Sequence, residues 1–453
     1  MDQATYKAAH AQATRALTMC PDISQAATPP RQKWVFTSLS PFTLPSPPTL
    51  LQLQLAEKTK NRSKMHRPAL KSAKPQQRQQ PVMSSLLVPP RKKSQGVDYP
   101  TGLNRFLSST QGQQEAADHR DAIKALGEMR AQTLSVTEPS EASLQNSVQY
   151  WAQVSLLGKR IDFNQVGLTF TWVDAFKGPS VLAPSEGKVT SMNVNLEIAA
   201  VLFNTAVLFM VHGSHAHKDG NGGTEGLKIA AQSFKKAAGM FLGAAAAASK
   251  IDQAISVDLS PECLSMLETM CLAHGQRCFY EKAKDDKMKD AILAKLASAA
   301  ANMYGQIASS ISGAHASDRL AKHFKGSAWI HDLAGEHAVF RAAAHMHAAK
   351  ALEIEHRGMK KGKELGHYAV AVSALEEAAK LKLSSTTRAA QIKVLLSEAH
   401  RAHGNAKKEN ETVYHEPEEK TAADPEGKAM VKSENLPDPQ VVWRMRLPFS
   451  SAS

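Results

Sequence analysis

Histidine and cysteine are the residue types in this sequence that most often perform chemistry. The chain of 453 residues contains 18 histidines and four cysteines. His345 and His347 lie two residues apart on a predicted helix and so point to different faces, whereas metal ligands on a helix are three or four residues apart. His215 and His217 precede a glycine-rich loop in which Asp219 is the one nearby carboxylate. Because no ligand set is complete, we predict neither a metal nor a cofactor.

The common signatures of phosphate binding and nucleophilic catalysis are also missing. The glycine-rich residues 220–223 follow a predicted helix and lack the spacing of dinucleotide or Walker loops. Cys278 is flanked by Phe279, and no neighbouring motif would activate its thiol. The absence of a C-x-x-C pair favours a reduced protein without a disulfide framework. We therefore predict that the protein is not an enzyme; a helical hydrolase or transferase is the alternative.

The net charge of +13 is concentrated in the first part of the chain. Residues 1–84 hold 12 of the 55 basic but only 3 of the 42 acidic residues, so this segment carries +9 of the net charge. It also contains proline-rich runs and no sustained apolar period. This composition predicts a disordered basic extension. Such a segment could contact anionic lipid or nucleic acid nonspecifically, but a solvated extension needs no partner, and we expect no nucleic-acid partner.

The remainder of the sequence predicts a mostly α fold with a small sheet. Alanine, leucine and lysine are abundant, and the longest apolar run, residues 198–211, is shorter than the roughly 18 residues of a membrane span. We predict a buried core helix there. Residues 166–172 alternate as a strand would, and residues 187–194 are a plausible neighbour. The main predicted helices are 115–130, 138–157, 227–249, 261–283, 287–310, 316–357, 366–382 and 386–408. From Glu409 onward we predict an extended segment laid over the helices.

The helix that starts at Lys287 has two apolar stripes. One stripe consists of Leu293, Ala297, Ala300 and Tyr304. The other, about 100° away around the helix axis, consists of Met288, Ile292 and Leu296. One stripe suffices for packing against the core. Periodicity alone leaves two interpretations open for the other: burial between neighbouring helices, or a surface for a partner.

Several motifs in order resemble the Alix-type Bro-one domain family. They are LTFTWVDAF at 168–176, EIAAVLFNTA at 197–206, EGLKIAA at 225–231, DKMKDAILAKLA at 286–297 and NETVYH at 410–415. The resemblance runs from about Ser85 to about Pro437. It divides the chain into the extension 1–84, a Bro-one domain at 85–437 and a short tail at 438–453.

The resemblance implies a fold and a function. The fold would be a curved, banana-shaped helical solenoid with a tetratricopeptide-like core and a small N-terminal sheet. The function would be that of a non-enzymatic adaptor that binds the C-terminal amphipathic helix of an ESCRT-III subunit, in endosomal sorting, multivesicular body formation or membrane scission. We expect a cytoplasmic protein recruited to endosomes, with at most indirect or weak membrane contact and no small-molecule substrate. A scaffold in ambient-pH signalling is the alternative.

The resemblance also implies site residues. The family's groove residues correspond to Phe279, Ile292 and Leu296, with Met288 beside them, and we expect these side chains to share an open face. Thr224 stands where the family often has an acidic residue, so Glu225 is a candidate replacement. Tyr414 corresponds to a tyrosine that the family presents for phosphorylation; a packed aromatic that anchors the C-terminal segment is the alternative.

Overall fold

The computed structural model describes residues 86–177, 186–218, 223–312, 318–356 and 359–444. The description below concerns the unit Gln79–Ser453. Three predicted features lie outside the described residues: the basic extension at 1–84, the loop residues 219–222 that include Asp219, and the end of the tail from residue 445.

The described unit is mostly helical with one small sheet, as predicted. Its helices are α1 (Tyr99–Thr110), α2 (Gln113–Asp118), α3 (Arg120–Ser135), α4 (Glu141–Gly158), α5 (Phe163–Val166), α6 (Val194–Lys218), α7 (Gly223–Ala248), α8 (Pro261–Asp285), α9 (Asp290–Ser312), α10 (Asp318–Phe324), α11 (Ala328–His356), α12 (Lys361–Ala379), α13 (Thr386–Glu409) and α14 (Pro439–Arg444). A 3-10 turn covers Val257–Leu259, and a π-helical turn covers Asn410–Tyr414.

The sheet contains two antiparallel strands, β1 (Phe170–Val173) and β2 (Lys188–Ser191). It is shorter than predicted, because residues Phe163–Val166 form α5, which Gly167 ends with a φ of 72°. The segment before α1 lies along the free edge of β1, where the amide of Val173 donates to the carbonyl of Lys93 at 2.9 Å. This pairing satisfies backbone groups that an edge strand would otherwise expose.

A buried carboxylate joins this sheet to the helices. Glu197 on α6 is fully buried and accepts hydrogen bonds from Arg130 (2.8 Å), Tyr150 (2.7 Å) and Trp172 (2.8 Å). These four residues are called the Glu197 network below. Both carboxylate oxygens have partners, which is the condition under which a buried charge is tolerated.

Helix α6 forms the centre of the core. By length and composition, the helical segment 194–217 could cross a membrane, since an 18-residue window within it has a mean hydropathy of 1.9. However, 83% of that window is buried inside the protein, where α6 packs between α7 and α4. The prediction of a buried core helix is confirmed, and the hydropathy reflects burial on every side.

The long helix predicted at 316–357 is two helices in the structure. α10 ends at Phe324, and α11 begins at Ala328. Between them Gly326 has a φ of 76°, a left-handed conformation that interrupts the helical path and that glycine adopts without steric penalty. The prediction of one helix was wrong because the histidine- and alanine-rich pattern continues through the break.

Residues 416–438 form the predicted extended segment, which is called the strap below. It crosses α12, α11, α9, α8 and α7 before the chain enters α14, which packs on α4. Close backbone approach requires glycine at two crossings: a Cβ at Gly362 would overlap the carbonyl of Pro417, and one at Gly239 would overlap that of Glu434. The strap is therefore held against the helices at main-chain distance.

Candidate partner-binding groove

The candidate groove is built on the antiparallel pair α8 and α9. Helix α8 begins at Ser260, whose hydroxyl accepts a hydrogen bond from the amide of Cys263, followed by proline at the first helical position. It ends at Asp285; Lys287, two residues further on, has a φ of 55°, and the amide of Met288 donates back to the carbonyl of Ala283 at 3.0 Å. This is the Schellman pattern, here with lysine in place of the usual glycine.

Gln276 fixes the register between the two helices and the strap. Its side-chain amide donates to the carbonyls of Leu296 (3.2 Å) and Lys428 (3.0 Å), and its oxygen accepts from the amide of Met430 (2.8 Å). Phe279 lies about one turn beyond Gln276 on α8, and Ile292 lies one turn before Leu296 on α9. Because the helices are antiparallel, Phe279 and Ile292 come to the same level of the pair.

The exposure of the predicted groove residues differs from residue to residue. Met288 is 46% exposed and Ile292 is 41% exposed, while Phe279 is half-buried against the core. Leu296 is only 5% exposed and belongs to the main core cluster. The prediction that Leu296 would be open was wrong, because its turn of α9 is covered by α8 and the strap. Phe279, Met288 and Ile292 are called the apolar strip below.

The other stripe of α9 packs inward as predicted. Leu293, Ala297, Ala300 and Tyr304 are all buried. A hydrogen-bonded chain holds the first turn of α9 in place: the hydroxyl of Tyr280 lies 3.0 Å from Nε2 of His347, whose Nδ1 lies 2.6 Å from Asp290. The core stripe and this chain fix the orientation of α9, which leaves Ile292 exposed, and Met288 is exposed in the turn before the helix.

Buried charges lie behind the groove. Arg277, next to the strip on α8, is 1% exposed and contacts Glu281 at 2.7 Å and Glu336 at 3.4 Å. Burial raises the pKa of Glu281, but the charges of Arg277 and the hydrogen bond from His217 outweigh it and hold that pKa below its usual range. Glu281 thus stays ionised and pairs with Arg277 behind the exposed residues of the strip.

Two exposed amines lie beside the strip. Lys295 lies three residues after Ile292 on α9, and Lys428 of the strap donates its amide to the carbonyl of Lys295 at 3.0 Å; both side chains are exposed. Apolar side chains next to amines suit an amphipathic helix that carries acidic residues beside its apolar face.

Thr224 and Tyr414 occupy different surroundings. Thr224 is half-buried in the first turn of α7, with the exposed Glu225 beside it. Tyr414 ends the π-helical turn after α13 and is half-buried, and the amine of Lys361 lies 5.7 Å from the centre of its ring. This contact fits an anchoring aromatic; phosphorylation of Tyr414 stays a prediction.

Sequence reasoning missed two features of the fold. One is Gln276, whose three hydrogen bonds depend on tertiary register and leave no local sequence signal. The other is a cavity of about 680 Å³ between α4, α6, α7 and α14. Its lining includes Leu144, Phe209, Ile229 and Val442. The helical period of α7 does place Ile229 away from the core stripe, but only the fold brings α4 opposite to it.

The cysteines and the possible metal ligands of the described residues do not form a reactive or metal-binding site. Cys263, Cys271 and Cys278 are buried on α8, and burial raises the pKa of each thiol, which disfavours the nucleophilic thiolate. Within the described ranges, no group of three or more histidine, cysteine, aspartate or glutamate side chains could hold a metal ion.

The fold and the motifs identify the class of the chain: it belongs to the family of BRO1-like domains, whose model matches residues 86–447. The chain is 31% identical to programmed cell death 6-interacting protein of Rattus norvegicus over 355 residues, which is 77% of this chain and 39% of that protein. It is 28% identical to the pH-response regulator protein palA/RIM20 of Emericella nidulans over 339 residues, 74% of this chain and 37% of that protein.

A solved complex of the ALIX BRO1 domain with CHMP4C is similar in structure as well. It has a TM-score of 0.66 and 27% sequence identity, and the match covers 79% of this chain and 97% of the solved one. This chain therefore spans about two fifths of the curated relatives but nearly the whole of the solved domain.

Proposed function

We propose that the chain is a non-enzymatic adaptor that binds the C-terminal amphipathic helix of an ESCRT-III subunit in the groove between α8 and α9. The observation that carries the proposal is the apolar strip, because Met288 in the turn before α9 is 46% exposed and Ile292 in the first turn of α9 is 41% exposed. The complex of the similar ALIX domain with CHMP4C supports this choice of partner.

The strip fits a helix better than an extended peptide. An extended peptide gains affinity by adding main-chain hydrogen bonds to a sheet edge, whereas a helix docks by apolar side chains three or four residues apart. The surface of α8 and α9 offers side chains and hardly any free main-chain groups, because the amide of Met288 and the carbonyl of Leu296 are already bonded. The exposed amines of Lys295 and Lys428 would meet acidic residues of the partner.

The cellular role follows from this binding mode. We propose a cytoplasmic protein that ESCRT-III recruits to endosomes for cargo sorting, vesicle formation or membrane scission. Any contact with the membrane itself would be indirect or weak. A scaffold in ambient-pH signalling is a second candidate, supported by the 28% identity to palA/RIM20. The same groove would serve both roles.

The test is a titration of a fluorescent peptide with the sequence of an ESCRT-III C-terminal helix, followed by anisotropy. The full chain should bind saturably. The substitution Ile292→Asp should weaken binding by roughly thirtyfold, since truncating a central anchor costs about 2 kcal/mol or more. Val394→Asp is the matched control, because Val394 is an exposed apolar residue at 49% on α13, which contributes nothing to the groove.

Two results would count against the proposal. One is the absence of saturable binding by the wild-type chain, and the other is an equal loss of affinity in Ile292→Asp and Val394→Asp. The circular dichroism of both variants should match that of the wild type, so that a loss of binding is not a loss of fold.

A further inference from the structure

A pair of histidines holds the strap at the point where it crosses α11. Nε2 of His345 lies 2.7 Å from a carboxylate oxygen of Asp424 on the strap, and Nδ1 of His345 lies 2.9 Å from Nδ1 of His367 on α12. His345 is fully buried, and His367 is half-buried. These three residues connect two helices and the strap in one line of hydrogen bonds.

The geometry fixes where the protons are when both rings are neutral. A carboxylate accepts only, so Nε2 of His345 must donate to Asp424. Nδ1 of the neutral His345 is then an acceptor, and Nδ1 of His367 must donate to it. If both rings were protonated, two N–H groups would face each other at hydrogen-bond distance. The arrangement is therefore specific for a pair that carries at most one added proton.

The surrounding charges also oppose protonation. Burial lowers the pKa of His345 despite Asp424, and Arg341, which contacts Asp424 at 2.8 Å, lowers it further. Burial and then the neighbouring His345 lower the pKa of His367 to about 4. The face of α9 that borders the site, at Ser298 and Asn302, presents no charge. His337 lines the same small space of about 10 Å³.

The strap beyond Asp424 is bonded to α9 and α8. Pro425 follows Asp424, and its carbonyl accepts a hydrogen bond from the hydroxyl of Ser298. The amide of Lys428 donates to the carbonyl of Lys295 at 3.0 Å. The carbonyl of Lys428 and the amide of Met430 bond to Gln276, beside Phe279. Release at Asp424 would thus loosen the part of the strap that borders the groove.

We propose that His345 and His367 form a pH-sensitive latch that holds the strap through Asp424 at neutral pH and releases it when both rings are protonated. A histidine whose pKa is lower in the folded protein than its ordinary 6.5 contributes stability that is complete above 6.5. That contribution is lost as the pH falls from 6.5 toward about 4. Burial raises the pKa of Asp424, but its contacts with His345 and Arg341 keep it below the usual range, so the carboxylate stays charged in this window.

The test is hydrogen exchange of the whole chain, read by mass spectrometry at pH 7.5 and pH 5.0 after correction for the intrinsic pH dependence of exchange. Strap peptides should exchange about tenfold faster at pH 5.0, because released histidines bind protons more readily. Peptides from α6 should not change. His367→Gln, which cannot be protonated, should remove most of the pH effect, whereas His400→Gln, an exposed histidine on α13, should leave it intact.

A second variant tests the attachment itself. Asp424→Asn removes the charge on a residue whose side chain is 49% exposed, so the fold should tolerate it. Its strap should exchange at pH 7.5 as fast as the wild-type strap does at pH 5.0. The latch would be refuted by equal wild-type exchange at the two pH values, by an undiminished pH effect in His367→Gln, or by full protection in Asp424→Asn.

Discussion

Charged residues usually lie on the surface and apolar residues in the interior, and the Glu197 network and the apolar strip depart from this rule in opposite directions. The first places a carboxylate and a guanidinium in the interior, where Glu197 is 0% and Arg130 is 4% exposed. The second leaves Met288 and Ile292 on the surface. The buried charges are paired by hydrogen bonds, whereas Met288 and Ile292 are left uncovered by the part of the chain that the structure describes. The comparison teaches that a buried charge with all its hydrogen-bond partners stabilises the fold, whereas a group of exposed apolar side chains indicates a binding partner.

The largest expected effect is in the Glu197 network. Glu197→Gln removes the charge but keeps the shape, so Arg130 is left buried without its counterion. Unfolding by urea should show a loss of about 3–5 kcal/mol in the free energy of unfolding. Peptide affinity per folded molecule should not change. A loss below about 1 kcal/mol would mean that the network is not the structural anchor described here.

The next comparison lies within α9. Leu296→Ala should lower the free energy of unfolding by about 3 kcal/mol, because it opens a cavity beside Gln276. Ile292→Ala, one turn away, should cost less than about 1 kcal/mol because its side chain is 41% exposed. Equal losses in the two variants, measured in the same urea series, would show that both residues are buried in solution and that the strip is closed.

Adding a Cβ where a helix approaches the strap closely should displace the strap. Gly239→Ala places a Cβ where the carbonyl of Glu434 lies, so the strap must shift or detach. We expect a loss of about 1–3 kcal/mol in the free energy of unfolding, with faster hydrogen exchange confined to the strap. Gly127→Ala is the matched control, because a Cβ there meets no neighbouring atom. A similar loss in both variants would remove the role given to Gly239.

The smallest effect concerns the turn between α8 and α9. Lys287 has a φ of 55°, which a side chain with a Cβ adopts at some cost. Lys287→Gly should therefore raise the free energy of unfolding by up to about 1 kcal/mol, and thermal unfolding would measure it. A stability loss in this variant would mean that the lysine side chain contributes contacts that outweigh the strain.

The fold was largely predictable because its local signals agree with one another. The N-cap Ser260 with Pro261, the apolar pattern of α6 and the inward stripe of α9 all gave the correct elements. The break at Gly326 was missed because its neighbours continue a helical pattern.

The candidate site was predictable only in part. Ile292 and Leu296 share one helical stripe, and periodicity cannot tell that the strap and α8 cover one of them. His345 was considered as a metal ligand with His347 and rejected, and its contacts with His367 and Asp424 were missed because they join residues far apart in sequence.

The most direct test of the account is methyl NMR of the full chain during titration with an ESCRT-III C-terminal helix peptide. The methyl signals of Ile292 and Met288 should shift at low peptide ratios. Those of Ile354 and Met359, which are even more exposed at 69% and 74%, should stay in place. Shifts at Ile354 and Met359 without shifts at Ile292 and Met288 would contradict the claim that this strip is the docking surface.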